Sequence, residues 1–234
     1  MIIIFDLDGT LLNTIDDLGY ACNYALGMTG YPTFPVEAYP AKVGNGINNL
    51  IRRALPESER TEENIQKVRA FFVPYYDAHN CDYTRPYDGI PEVLATLKAQ
   101  GHLLAVASNK YQAATEKIVR HFFPGVFDVI LGEREGIERK PNPQIVFDII
   151  QRIQNNQNIP NIPILHSTPY TLHPTPLYLG DSLVDYETAK NANVPFVACS
   201  WGFVPREKLV EAGISTIIDR PQDLFFGCKM TAFS

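Results

Sequence analysis

The sequence predicts an α/β protein: a parallel sheet with helices between its strands, interrupted by an all-helical module. Three observations carry this reading. Short β-branched apolar runs recur along the chain, of the kind found in strands covered on both faces. Amphipathic helical patterns lie between them, so the segments read as βαβ units. From residue 14 to residue 85 the alternation stops and only helical patterns remain.

The first element is Met1-Ile2-Ile3-Ile4-Phe5-Asp6-Leu7-Asp8, a strand whose apolar run closes on two acids. Inside 14–85, Ile15, Leu18, Cys22, Ala25 and Leu26 mark one helix. Ile47, Leu50, Ile51, Ala54 and Leu55 mark a second, spaced i, i+3, i+4, i+7, i+8, and Ile65, Val68, Phe72 and Tyr75 a third. Residues 82–89 form the linker back. Pro91 opens a helix that buries Val93, Leu94 and Leu97 and stops at Gly101. Strands are expected at 103–107, 127–131, 177–179, 196–199 and 216–218. A helix over 143–154 places Ile145, Val146, Ile149, Ile150 and Ile153 on one face. The Asn-rich segment 155–176 holds five of the 18 prolines and suits neither a helix nor a central strand. It is expected to be a long exposed loop at the amino-terminal edge of the sheet, away from the chemistry.

Charge narrows the function. Lys and Arg number 20 against 26 Asp and Glu, a formal net charge of -6. That balance argues against a nucleic-acid or membrane-surface binder, which carries a basic face. No apolar run approaches the ~18 residues of a membrane span. Cys22, Cys81, Cys199 and Cys228 stand far apart with no C-x-x-C pair, as reduced thiols of a cytoplasmic protein do. The five histidines show no ligand spacing. The net charge repels an anionic ligand at long range, so any anion chemistry here has to be organised locally.

Four places share one location, at or just beyond the carboxyl end of an expected strand, where open α/β sheets bind ligands. Asp6-Leu7-Asp8-Gly9-Thr10 comes first; residues 6 and 8 project to one side of a strand, and two such carboxylates need a cation, a shared proton or solvent. Ser108-Asn109-Lys110 comes second, a hydroxyl with backbone amides suited to phosphate oxygens and equally to a helix cap. Third is Arg139-Lys140-Pro141-Asn142-Pro143, where two prolines stiffen the loop that aims Lys140, a compact charge for a phosphate or a solvated basic residue. The fourth is Gly180-Asp181-Ser182-Leu183-Val184-Asp185, where Asp181 ends a buried strand and Asp185 falls one helical turn later. Converging carboxylates suit a hard divalent cation such as Mg2+.

Taken together these residues resemble the haloacid dehalogenase superfamily in its phosphatase branch, over nearly the whole chain. The resemblance implies a Rossmann-like three-layer core (1–13 and 86–234) and a helical cap domain (14–85). It implies Asp6 as nucleophile and Asp8 as general acid/base. Mg2+ would be held by Asp6, the backbone carbonyl of Asp8 and Asp181, with Asp185 coordinating or one step removed. Ser108 and Lys140 would hold the phosphoryl group, helped by backbone at Leu7, Gly9 and Asn109. Asp8 argues against dehalogenase and phosphonatase chemistry. Lys42-Val43-Gly44-Asn45-Gly46 and the tail from Trp201 to Pro221 resemble phosphoglycolate phosphatases, which makes Gly44, Asn45 and Gly46 a candidate substrate loop on the cap, or a plain interhelical turn. The expected partner is a small phosphorylated metabolite, in a monomer or homodimer, with no nucleic acid and no membrane. Sugar phosphates, nucleotides and pyrophosphate stay open as substrates, as does a phosphomutase. A non-enzymatic phosphoacceptor signalling module would share the clustered acids, but such modules are about half this length and lack the helical insert.

Overall fold

A computed structural model describes residues 1–155 and 176–225. Six parallel strands form the main sheet, in the order β5-β4-β1-β6-β7-β8. They are β1 (Ile2–Phe5), β4 (Leu103–Tyr111), β5 (Val129–Glu133), β6 (Leu177–Gly180), β7 (Phe196–Cys199) and β8 (Ile217–Ile218). The expected loop 155–176 lies outside the described residues apart from its two ends.

The β-branched opening does what its pattern predicts: all four residues of β1 are buried. Ile3 and Phe5 join one cluster with α4 (Ile90–Ala99) and α5 (Gln112–Phe122). Ile2 and Ile4 join another with α6 (Gln144–Asn155) and α7 (Leu183–Asn191). Alternation along a strand thus gives helix, sheet and helix layers. A short α8 (Arg206–Glu211) packs Leu209 with Ala198 and Ile214.

Between β1 and β4 lie α1 (Ile15–Met28), α2 (Ile47–Ala54) and α3 (Glu62–His79). Each falls where its periodicity put it. In α3 Phe72 is buried as its spacing predicts, but the aromatic buried beside it is Tyr76, with Tyr75 only half-buried. The insert enters and leaves through a ribbon, β2 (Leu12–Asn13) paired antiparallel with β3 (Arg85–Pro86). Arg85 therefore lies in a strand, within a stretch expected to have none. Two-residue strands carry no periodicity to read, and Pro86 is tolerated on such an edge. Asp17 of α1 is buried and accepts the backbone N–H groups of Tyr83 (3.0 Å) and Thr84 (2.9 Å), tying the returning chain to the start of the insert.

Other boundaries moved. β1 ends at Phe5, so Asp6 to Asp8 lie just beyond it; the Asp6 N–H still donates to Leu179 O of β6 (2.9 Å), and Asp8 forms an isolated bridge with Leu12. β4 continues to Tyr111, with a register shift after Ala107, because β5 runs beside it until Tyr111 pairs with Glu133. Ser108 and Asn109 therefore sit within β4 and not on the turn to α5. Among the described residues no helix is long and apolar enough to cross a membrane.

Candidate active site

The chain lays β1, β4 and β5 to one side, then returns to place β6 against the other side of β1. This reversal of winding opens a crevice at the carboxyl ends of β1, β4 and β6, the general place for ligands in such sheets. Asp6, Asp8, Ser108, Lys140 and Asp181 all line one cavity of about 330 Å³ there. Gly44, Asn45 and Gly46, between the first two helices of the insert, line the same cavity.

Lys140 organises the floor. Its ammonium donates to Asp6 Oδ1 (2.7 Å), Asp185 Oδ1 (2.8 Å), Ala107 O (2.9 Å) and Tyr178 Oη (3.2 Å). Asn109 fixes the Lys140 backbone reciprocally: its Oδ1 accepts the Lys140 N–H (2.9 Å) and its amide donates to the Lys140 carbonyl (3.1 Å). The Asn109 side chain is thereby committed to aiming Lys140. Burial works against the Lys140 charge, but Asp185 and Asp6 outweigh it and hold the pKa well above the usual lysine range.

The carboxylates are crowded. Asp6, Asp181 and Asp185 are buried and can bring one oxygen each within 4.8 Å of the others. Burial and then Asp185 push the Asp6 carboxyl well above the ordinary carboxylate range, against the pull of Lys140. The same two causes push Asp181 up to about 7. One ammonium does not neutralise three acids. That electrostatic deficit, with hard oxygen donors, fits a divalent cation. Asp181 is aimed by the Phe203 N–H (2.7 Å) and Thr10 Oγ1 (3.3 Å). Asp185 has both oxygens engaged, Oδ1 by Lys140 and Tyr178, Oδ2 by the Ser182 hydroxyl (2.6 Å) and N–H (3.2 Å) in the capping box of α7.

Glycines keep this floor compact. A Cβ on Gly9 would lie 2.4 Å from Asp181 Oδ2, and Gly9 has φ +89°. Its N–H already donates to Leu12 O (2.9 Å), so here Gly9 makes room for Asp181 and its amide is engaged within the turn. Leu7 is buried and its carbonyl closes the same turn onto Leu11 and Leu12. Gly44, Asn45 and Gly46 all have positive φ, and Asn45 O accepts from Arg139 Nη1 (3.3 Å), joining this loop to the residue before Lys140. Arg53 Nη1 holds the loop's entry through the carbonyls of Lys42 (3.0 Å) and Val43 (2.9 Å).

Sequence reasoning assigned no role to Lys110, Tyr76 or Thr14. All three are buried around Asp8. The signal for Lys110 was the length of β4: two residues beyond Ser108 on an extended strand, it returns to the same side.

The haloacid dehalogenase-like hydrolase family matches residues 3–199. The phosphoglycolate phosphatase of Aquifex aeolicus is 30% identical over 224 residues, covering 95% of this chain and 94% of its own. That of Pseudomonas syringae pv. tomato is 30% identical over 97% of this chain and 79% of its own. A crystal structure of a predicted phosphoglycolate phosphatase from Haemophilus somnus superimposes with a TM-score of 0.80 at 28% identity, over 98% of this chain and 97% of that one. CbbY from Rhodobacter sphaeroides, solved with phosphate, shares the fold at a TM-score of 0.72 and 22% identity, over 95% of each chain.

Proposed function

The chain belongs to the haloacid dehalogenase-like hydrolases, and from that premise we propose that it is a Mg2+-dependent phosphatase acting on 2-phosphoglycolate through a phosphorylated Asp6. That it is a phosphoric monoester hydrolase rests on the family and on relatives alike over 94% and 79% of their own length. The observation that carries the proposed mechanism is the convergence of Asp6, Asp8, Ser108, Lys140 and Asp181 on one cavity. The name of the substrate is supported by the relatives, whose names specify phosphoglycolate.

In this reading the helical insert, 14–85, serves as a cap over a core of 1–13 and 86–234, and Gly44, Asn45 and Gly46 face the substrate. Asp6 and Asp181, with the backbone carbonyl of Asp8, would hold the cation, and Asp185 acts one step away by holding Lys140. When bound, the cation supplies charge neutralisation for Asp6 and for the phosphoryl oxygens.

Lys140 pins Asp6 Oδ1; among the described residues Oδ2 accepts no hydrogen bond and is the attacking atom. Its bond to phosphorus forms as the bond to the ester oxygen breaks, and Asp8 gives that oxygen its proton. Ser108, Lys140 and the backbone of Leu7 and Asn109 hold the phosphoryl oxygens during the in-line transfer. Asp8 then takes a proton from water, whose oxygen attacks phosphorus and releases Asp6 and inorganic phosphate.

A panel of phosphomonoesters tests this, assayed in Mg2+ and in chelator with Asp6→Asn as control. The expected result is Mg2+-dependent phosphate release, lost in Asp6→Asn, with 2-phosphoglycolate favoured over sugar phosphates by more than about tenfold in kcat/KM, or ~1.4 kcal/mol. A smaller preference removes the named substrate and leaves the phosphatase.

A further inference from the structure

Asp8 is gripped by one oxygen. Its Oδ1 accepts from Thr14 Oγ1 (2.7 Å) and lies 3.1 Å from Lys110 Nζ. Among the described residues, Oδ2 accepts no hydrogen bond. The Lys110 side chain is only 3% exposed. Its ammonium also donates to Tyr76 Oη (2.7 Å) and lies 4.7 Å from the centre of the Tyr76 ring. Tyr76 belongs to the helical insert, is buried, and stacks on Phe72. The next residues repeat the link: Tyr111 donates to the Asp77 carboxylate, and Lys117 Nζ donates to the Asp77 carbonyl.

Burying an ammonium costs several kcal/mol before its partners repay it. A methionine would fill the same space without that cost, so packing does not explain a lysine here. What the ammonium adds is a direct tie between the α3 hydroxyl and the Asp8 carboxylate. We infer that Lys110 and Tyr76 are positioning residues for Asp8. They clamp Oδ1 so that Oδ2 faces the ester oxygen, and they make that alignment depend on α3 being docked against β4. This rests on the reading of Asp8 as proton donor given above. Thr14, the N-cap residue of α1, supplies the second point of the clamp.

A leaving group that departs unaided does not need the proton. The test is therefore the ratio of kcat/KM for 2-phosphoglycolate to that for 4-nitrophenyl phosphate, in the full-length protein with Mg2+. It is measured for wild type, Asp8→Ala, Lys110→Met and Tyr76→Phe. General acid catalysis typically contributes about 10²–10⁴-fold, so the ratio should fall by ~100-fold in Asp8→Ala, about tenfold in Lys110→Met and ~threefold in Tyr76→Phe. Tyr76→Phe keeps the ring and its packing, so it decides the question should Lys110→Met fail to fold. A ratio unchanged in Lys110→Met and Tyr76→Phe but lowered in Asp8→Ala overturns the clamp alone. An unchanged ratio in Asp8→Ala overturns the role of Asp8 and the clamp with it.

Discussion

Lys140 serves two carboxylates at once, Asp6 and Asp185, at 2.7 and 2.8 Å. Removing it leaves a cluster of buried acids without that cation, and breaking a buried pair in this way costs roughly 3–5 kcal/mol. Lys140→Met should therefore lower the urea midpoint at neutral pH and cut kcat/KM by at least ~100-fold, the scale of losing a preorganised charge at the reacting centre. A variant with wild-type stability and activity would contradict the placement of this ammonium. Asp181 gives a second prediction. In the folded protein burial and Asp185 raise its carboxyl from 3.8 to about 7. The folded state thus holds a proton that the unfolded chain has released, so without metal this residue's contribution to stability falls as pH rises from about 4 through 7. A cation must displace that proton, so its own stabilisation grows across the same interval. The rise in Tm on adding Mg2+ should be larger at pH 8 than at pH 6; a shift of equal size at both would count against Asp181 as a ligand.

At the scale of elements, the site depends on strands ending where small residues allow side chains to pack beneath them. Gly180 closes β6, and a Cβ there would lie 2.4 Å from the Asp185 Cβ. Gly180→Ala should displace α7 from β6, at an overpacking cost of about 1–3 kcal/mol, and weaken the hold of Asp185 on Lys140. Thermal unfolding together with kcat checks both effects, and an undisturbed variant would show that the strand end has slack. Most of these elements were legible in the residues. The Ile run of β1, the periodicity of α1, α2 and α3, and the acids after β1 and β6 all stand near their expected places. What could not be read depends on partners far away in the chain. β4 is extended through Ser108 to Tyr111 because β5 lies alongside it. Lys110 looks like any basic residue until Tyr76, 34 positions earlier, is brought beside it. The β2–β3 ribbon is too short to leave a pattern, yet it is the joint through which the insert meets the core.

For the molecule as a whole, the formal charge of -6 and the local charge of the site are separate matters. On the proposed function, the bulk charge repels an anionic ester on approach, while Lys140 and a bound cation attract it at contact. Added salt at constant Mg2+ should therefore raise kcat/KM for 2-phosphoglycolate modestly, by less than ~threefold, by screening that long-range repulsion. A steep fall with salt would indicate a positive entrance instead. Asp6 is where the sheet's switch point, the ammonium of Lys140 and the acid cluster meet. The direct measurement is an acid quench during turnover with labelled 2-phosphoglycolate, followed by mass spectrometric mapping of the phosphorylated peptide. Phosphate is expected on Asp6, absent from Asp6→Asn along with phosphate release. Turnover by Asp6→Asn at the wild-type rate, or label on another residue, would contradict it.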